Sequence, residues 1–265
     1  MIEQIILGIV QGIAEWLPVS SEGMIVMVET LLFGKSDLQG MIENALFLHL
    51  GSALAAAVYF RKDIVQLFKS LSPRAGSPSQ ELPLFKFLIG TTLISGSLGF
   101  FLLKYMTQTV SEHPSNVRLI LLALSFCLII TALLQLKAKH SGDRSSSQIT
   151  MRDTLILGLV QAFATLPGLS RSGLTVSFLL FQNFRTEEAV RISFLMSIPI
   201  VLAGNIVLSI SSYVFHWESL LGLLFSFLMS LVMIDTLIKL AKRINFAKFI
   251  FIMALLVGLS ALLPL

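Results

Sequence analysis

Charge and cysteine are both scarce in this sequence. Only 13% of its 265 residues are charged, against about 25% in soluble globular domains, so a water-facing surface could not cover the apolar excess. Cys127 is the only cysteine, which excludes an intrachain disulfide and argues against a disulfide-stapled or zinc-ribbon domain. No basic stripe is interleaved with aromatic residues, so nucleic acid is not an expected partner.

Apolar sequence is what the chain has in abundance. Hydrophobic residues make up 55% of it and the mean hydropathy is +0.86. We therefore predict a polytopic membrane protein with a single transmembrane domain over residues 1–265. No strand-like alternation is visible, so the predicted fold class is all-α. Six segments are long enough to cross the bilayer as helices: 44–60, 84–103, 117–136, 192–213, 220–240 and 246–265.

Two further apolar stretches are interrupted near their middles. Residues 2–33 are broken by PVSSEG at 18–23, and residues 154–184 by PGLSRSG at 167–173. Each stretch predicts two half-length helices around a polar turn. We expect both pairs to be re-entrant, entering and leaving the bilayer on one side, because irregular backbone at membrane depth must line a cavity or be buried in protein.

The two interrupted stretches are copies of each other. LGIVQGIAEWLPVSSEG begins at Leu7 and LGLVQAFATLPGLSRSG at Leu157, and seven of the seventeen positions are identical at a constant offset of 150 residues. Apolar bias does not readily account for the matched Gln, Ser and Gly residues. Three predicted spans separate the copies, so the chain should consist of inverted repeats, 1–140 and 150–265, joined by a Ser-rich basic linker.

The distribution of basic residues supports this topology. Of the 19 lysines and arginines, fifteen fall on one side of the predicted membrane and three on the other, while Arg171 lies alone in a polar turn. The positive-inside rule predicts that the basic side, including the linker, is cytoplasmic. The asymmetry would disappear if either interrupted stretch crossed the bilayer fully.

Glu15 and Arg171 are the charges furthest inside apolar sequence, and such residues usually pair and face a cavity. One explanation is a structural ion pair between the two polar turns. The other is an anion site, since helix N-termini present free N–H groups and Arg binds two phosphate oxygens at once. Four hydroxyls stand at the predicted helix starts: those of Ser20, Ser21, Ser170 and Ser172.

N-capping alone would explain at least one serine of each pair. Gly23, Gly168 and Gly173 would in addition let the backbone approach a ligand closely. An anion site inside a bilayer predicts a lipid with a phosphate head group.

A carboxylate beside an anion site needs a chemical reason. Glu15 could accept a proton from an attacking hydroxyl or water, or hold a cation that bridges to phosphate. Gln11 lies one turn earlier on the same helix face and could position a water, a metal or a head group.

Other polar residues favour simpler roles. Gln161 is expected to hydrogen-bond between helices, and Asp235 to pair with Lys239. His49 and Asn205 either line the cavity or only link helices.

These motifs resemble the undecaprenyl-diphosphatases of the bacitracin-resistance type. The first family signature, (E/Q)xxxE followed by PxSS, stands here as Gln11 to Glu15 and Pro18 to Ser21; the second, PGxSRSxxT, is complete from Pro167 to Thr175. The resemblance covers essentially the whole chain. It implies an inverted-repeat helical fold in the cell membrane, often dimeric. It also implies hydrolysis of a polyprenyl diphosphate to the monophosphate on the outward side, which recycles the lipid carrier for cell-envelope glycans.

The resemblance also implies roles for single residues. Glu15 would be the acid/base or metal-linked carboxylate, with Gln11 at the family's first-carboxylate position and Mg²⁺ or Ca²⁺ as the cation. Ser21, with Ser20 beside it, would be the nucleophile or a phosphate contact. The diphosphate would be bound by the remaining motif residues: Ser20, Glu22, Gly168, Ser170, Arg171, Ser172, Gly173 and Thr175.

One position departs from the family pattern. Many members carry Thr-Gly-His after the paired serines, whereas this chain has Glu22-Gly23-Met24, and methionine cannot transfer a proton. Either Glu22 takes over, or the His is dispensable, or the protein is a polyprenyl-phosphate flippase, which needs the anion site but no nucleophile. Glu15 and both serines favour the enzyme.

Overall fold

The computed structural model of the chain describes residues 1–71, 81–112, 142–165, 169–206 and 217–240, with isolated positions between 122 and 136 and residues 251 and 255. The described residues contain nine α-helices and no strand, which confirms the predicted all-α class. The helices are α1 Ile2–Ala14, α2 Ser21–Phe33, α3 Leu38–Tyr59, α4 Arg61–Lys69, α5 Leu82–Glu112, α6 Met151–Phe163, α7 Arg171–Phe181, α8 Thr186–Gly204 and α9 Trp217–Leu240.

Three of the described helices are long and apolar enough to cross a membrane. They are Gly40–Tyr59 in α3, Leu82–Leu102 in α5 and Trp217–Leu240, which is α9. These match the predicted spans 44–60, 84–103 and 220–240. Most of the predicted span 117–136, and all but two positions of 246–265, lie outside the described residues.

Helix α8 begins earlier than the predicted span at 192. It starts at Thr186, and its first turn carries Glu187 and Glu188. Acidic side chains favour a helix N-terminus because they complement the exposed N–H groups. The hydropathy pattern excluded these charged residues from the predicted span, although they form a good helix start.

Both interrupted stretches form the predicted pairs of half-length helices, here called hairpins. The turn of the first hairpin lies between Ala14 and Ser21, and that of the second between Phe163 and Arg171. In the first, Lys35 just after α2 pairs with Glu3 in α1, so the open ends lie together. In the second, Arg144 pairs with Asp153 at the start of α6 at 2.7 Å and donates to the carbonyl of Gln182 just after α7 at 3.0 Å.

The hairpins open toward opposite ends of the helix bundle, and their turns meet between those ends. Helix α3 starts beside the first open end, where Asn44 donates to Glu29 of α2 at 3.1 Å, and its 22 residues advance about 33 Å. Just past its far end, Asp63 pairs with Arg191, close to the second open end.

Small residues allow the close helix contacts that hold the hairpins. A Cβ built on Gly8 would lie 2.2 Å from the carbonyl oxygen of Gly222 in α9. A Cβ on Gly158, which occupies the same place in the second copy, would lie 2.8 Å from Ile94 of α5. Helix α1 therefore packs closely on α9, and α6 on α5, because glycine at these positions leaves room for the neighbouring helix.

Candidate active site

The two hairpin turns bring a carboxylate and a guanidinium together. Glu15 lies just past the end of α1, and Arg171 is the first residue of α7, with Ser170 as its N-cap. Arg171 Nη2 donates to Glu15 Oε1 at 2.6 Å, and the side chains are only 14% and 5% exposed. Arg171 Nη1 donates to the carbonyl oxygen of Ser193 in α8 at 2.9 Å. The ion pair expected from the sequence is thus formed and is braced by a third element.

The second oxygen of Glu15 is also engaged. Its Oε2 accepts hydrogen bonds from Gln11 Nε2 at 3.0 Å and Ser21 Oγ at 2.9 Å, and lies 3.0 Å from His49 Nε2. The carboxylate is therefore held by groups from α1, α2, α3 and α7. The predicted catalytic residues Gln11, Glu15, Ser21 and Arg171 lie in one cluster.

His49 belongs to this cluster, although the sequence is compatible with either a cavity-lining or a helix-linking role. It projects from the middle of α3, is 8% exposed, and its Nε2 lies 3.2 Å from Ser21 Oγ. Its Nδ1 lies 2.6 Å from the carbonyl oxygen of Ala45. The signal that points to it is the one that points to Glu15, namely an ionisable side chain inside apolar sequence.

One serine of each pair caps a helix, as expected. Ser20 Oγ accepts from the N–H of Gly23 at 3.2 Å, and Ser170 Oγ accepts from the N–H of Gly173 at 3.1 Å. The second serine of each pair has another partner. Ser21 donates to Glu15, and Ser172 Oγ donates to the carbonyl oxygen of Leu17 at 2.7 Å. The last bond joins the first turn directly to the start of α7.

Three residues predicted to bind the diphosphate are not among the groups that contact Glu15. Two of them lie beside the cluster, and the third lies outside the described residues. Thr175 is fully buried one turn into α7, where its hydroxyl donates to the carbonyl oxygen of Arg171 at 2.8 Å and lies 2.7 Å from Ser193 Oγ. It therefore braces Arg171. Glu22 is half-buried in the first turn of α2, and Gly168 lies outside the described residues.

Two residues for which the sequence favours simpler roles take them. Gln161 Nε2 donates to Ser95 Oγ of α5 at 2.8 Å, away from the cluster. Asp235 pairs with Lys239 at 2.5 Å, near the end of α9. Gln11 and Gln161 occupy matching positions of the repeat, but Gln11 donates a hydrogen bond to Glu15 and Gln161 donates one to Ser95.

An apolar cavity adjoins the polar cluster. Trp16, Val176 and Phe194 line it together with Ser172 of α7. Trp16 is buried and packs edge-on against Phe194, with the ring centroids 4.8 Å apart. The polar cluster therefore borders an apolar surface, an arrangement that suits a ligand with a charged head and an apolar tail.

One acceptor in the cluster fits a cation. Gln11 Oε1 is buried and has no hydrogen-bond partner among the described residues. The same residues contain no group of three or more His, Cys, Asp or Glu side chains placed to hold a metal. Mg²⁺ typically keeps waters and phosphate oxygens and takes one or two protein ligands. Gln11 Oε1 can therefore supply one oxygen ligand to a divalent cation whose other ligands are not protein atoms of this cluster.

The helices and the cluster together define a class: a multi-pass helical membrane protein with a buried polar centre built from two hairpin turns. The family model described as "Bacitracin resistance protein BacA" matches residues 4–259, and the chain belongs to this family. The match confirms the resemblance that the two motifs indicate.

Curated relatives cover nearly all of the chain. It is 41% identical to the "Undecaprenyl-diphosphatase" of Methanococcoides burtonii over 252 residues, which span 93% of each chain. It is 35% identical to the protein of that name from Korarchaeum cryptofilum, over 91% of this chain and 90% of the relative. It is 32% identical to "Undecaprenyl-diphosphatase 1" of Shouchella clausii, over 97% and 95%.

Proposed function

We propose that this protein is a membrane phosphatase that hydrolyses an undecaprenyl-type polyprenyl diphosphate to the monophosphate and phosphate. This reaction would recycle the lipid carrier for cell-envelope glycan synthesis. The observation that carries the proposal is the Ser21 hydroxyl, which lies 2.9 Å from Glu15 Oε2 while Arg171 holds the other oxygen of that carboxylate. Membership of the BacA family and the names of the relatives support the same activity.

The diphosphate would bind where the two turns meet. Arg171 can present two N–H groups to phosphate oxygens, as guanidinium groups commonly do. The N-termini of α2 and α7, capped by Ser20 and Ser170, add partial positive charge and free N–H groups. Ser172 and Gly173 stand in the first turn of α7. The first part of the prenyl chain would lie against the apolar residues around Trp16, which line the cavity beside the cluster.

The reaction is a phosphoryl transfer. Ser21 Oγ attacks the terminal phosphorus, the bond from that phosphorus to the bridging oxygen breaks, and polyprenyl monophosphate leaves. Water then hydrolyses the phosphoserine and releases phosphate. Positioning and charge neutralisation supply most of the catalysis in such reactions. The Ser21 hydroxyl donates to Glu15 Oε2, so this carboxylate is the acceptor within reach of its proton.

A divalent cation, Mg²⁺ or Ca²⁺, would neutralise charge on the diphosphate when bound. Gln11 Oε1 is the protein atom that would hold it, because that oxygen is buried and has no hydrogen-bond partner among the described residues. The sequence suggested Glu15 as a second cation ligand. This proposal does not use it as one, because both of its oxygens already contact protein donors.

We also propose a membrane topology. The two hairpins would be re-entrant parts of inverted repeats, 1–140 and 150–265, with the substrate entering from the outward side. Support comes from the hairpins opening toward opposite ends and from ion pairs of Arg191 and Arg144 at one of those ends. The positive-inside rule makes this end cytoplasmic.

Phosphate release from a C55 polyprenyl diphosphate by the purified protein, with Mg²⁺ or Ca²⁺ supplied, tests the proposal. Ser21→Ala should lose at least about 10³-fold in kcat, because it lacks the nucleophile. Ser52→Ala, which removes a buried hydroxyl from α3 that contacts Ser226, is the matched control and should remain active. A folded wild type that binds the lipid but releases no phosphate would contradict hydrolysis and favour the flippase.

A further inference from the structure

We propose that the indole N–H of Trp16 binds the proximal phosphate of the lipid, the one that is joined to the prenyl chain. Trp16 would then mark the junction between head group and tail. This contact rests on the proposed function and adds a substrate-binding residue to its site. Trp16 follows Glu15 directly, in the turn of the first hairpin, and is only 2% exposed.

Trp16 carries a buried hydrogen-bond donor without an acceptor. Its Nε1 has no hydrogen-bond partner among the described residues. An indole nitrogen can only donate, and buried tryptophans usually find a partner because an unmet donor is costly. The neighbouring donors of Gln11, Ser21 and Arg171 are already engaged by one carboxylate. The Trp16 N–H is therefore a donor that an incoming oxygen ligand can satisfy.

The surroundings place Trp16 between the polar cluster and the apolar cavity. The indole and Ser172 both line this cavity, and the ring packs edge-on against Phe194, with the centroids 4.8 Å apart. The residue before Phe194 is Ser193, whose carbonyl oxygen accepts from Arg171 Nη1 at 2.9 Å. One turn of α8 therefore contacts both the indole and the guanidinium.

The proximal phosphate is the part of the substrate that suits this position. In the proposed reaction Ser21 attacks the terminal phosphorus, while the prenyl chain lies against the apolar residues around Trp16, so the proximal phosphate falls between the two. Its oxygens are charged and accept strongly, whereas an aromatic face such as that of Phe194 is a weak acceptor. The indole can thus bind phosphate through its N–H and the first isoprene unit through its ring.

Trp16→Phe removes the N–H and keeps an aromatic ring. The proximal phosphate is present in the bound substrate and in the transition state, so the contact contributes to binding and not to the chemical step. We expect KM for a C55 polyprenyl diphosphate to rise by about tenfold or more, the usual effect of losing a hydrogen bond to a charged group. The kcat for phosphate release should change by less than about threefold.

A second readout needs no turnover. The chain has two tryptophans, and Trp217 is 80% exposed, so Trp217→Phe leaves Trp16 as the one tryptophan emitter. Farnesyl monophosphate carries the proximal phosphate but no diphosphate bond, and its binding should shift the emission of Trp16. Farnesol and inorganic phosphate each supply half of this ligand and should not shift it at the same concentration.

The preference for phosphate separates the hydrogen bond from packing. It is the ratio of the Kd of farnesol to that of farnesyl monophosphate, measured with radiolabelled lipids on immobilised protein. Trp16→Phe should lower this ratio by about tenfold or more. Phe194→Leu is the matched control, because it loosens the packing of the indole but keeps the N–H, and its ratio should stay within about threefold of wild type.

The outcomes distinguish this contact from the proposed function. A wild-type ratio in Trp16→Phe, or an unshifted Trp16 emission at saturating farnesyl monophosphate, would overturn the contact while the proposed hydrolysis stands. A protein whose Trp16 responds to the monophosphate, but which releases no phosphate from the diphosphate, would overturn the hydrolysis and support the contact.

Discussion

At the scale of single residues, Arg171 matters because it makes two contacts at once. Its Nη2 donates to Glu15 and its Nη1 to the Ser193 carbonyl. Lysine keeps the charge but cannot reproduce the fork. We expect Arg171→Lys to fold and to lose about 10²-fold or more in kcat/KM for phosphate release, by analogy with the loss of one transition-state donor. Wild-type kcat/KM in this variant would show that charge alone suffices.

Asp153 gives a residue-scale prediction on pH. Burial opposes its ionisation, but hydrogen bonds from Arg144 and Thr150 outweigh this and hold the pKa of Asp153 below its usual value. A depressed folded-state pKa adds stability above the ordinary aspartate pKa of about 3.9, and this stability is lost as the pH falls further. The Tm in detergent should therefore fall less between pH 5 and pH 3 in Asp153→Asn than in wild type. Asp143→Asn, at an exposed site, should behave as wild type; an equal fall in all three would contradict the linkage.

Sequence patterns could identify some of the site residues, but not those whose contacts depend on tertiary packing. Charges and hydroxyls inside apolar sequence point to Glu15, Arg171 and the paired serines without any knowledge of packing. The contacts of His49 with Ser21 and Glu15 depend on where the middle of α3 lies relative to the first hairpin. Tertiary packing sets that position, so the sequence alone does not reveal these contacts. Thr175 belongs to the second motif, yet its hydroxyl bonds within its own helix and to Ser193, which the motif alone does not reveal.

At the scale of elements, the two hairpins have the same helix capping but carry different functional side chains. Ser20 and Ser170 cap the second helix of each hairpin in the same way. One position further on, the first copy has Ser21 and the second has Arg171. The repeat could therefore predict that the second helix of each hairpin is capped in the same way. The hydrogen-bond partners of Ser21 and Arg171 depend instead on how the two hairpins contact each other.

Close packing of α1 on α9 gives an element-scale prediction. A Cβ at Gly8 would lie 2.2 Å from a backbone oxygen of Gly222, which cannot move without shifting a helix. Gly8→Ala should therefore destabilise the protein by at least about 1–3 kcal/mol, as overpacking commonly does, and lower its Tm in detergent. Gly204→Ala is the matched control, because a Cβ there meets nothing within 4 Å. Equal Tm values for the two variants would contradict this packing.

At the scale of the whole molecule, the proposed topology assigns each end of the bundle to one side of the membrane. Ser36 and Lys62 are exposed and lie beyond opposite ends of α3. In a Cys127→Ser background, a membrane-impermeant maleimide applied to intact cells should label Ser36→Cys but not Lys62→Cys. The reverse pattern would contradict the assignment of the basic end to the cytoplasm.

The central claim is that the two hairpin turns form one catalytic unit through Glu15 and Arg171. A double-mutant cycle in kcat/KM for phosphate release from a C55 polyprenyl diphosphate tests it most directly, with Glu15→Gln, Arg171→Ala and the double variant. Residues that act as a unit are strongly non-additive, so the double variant should be about as slow as the slower single variant. Losses that multiply, or single variants that keep wild-type kcat/KM, would contradict the account.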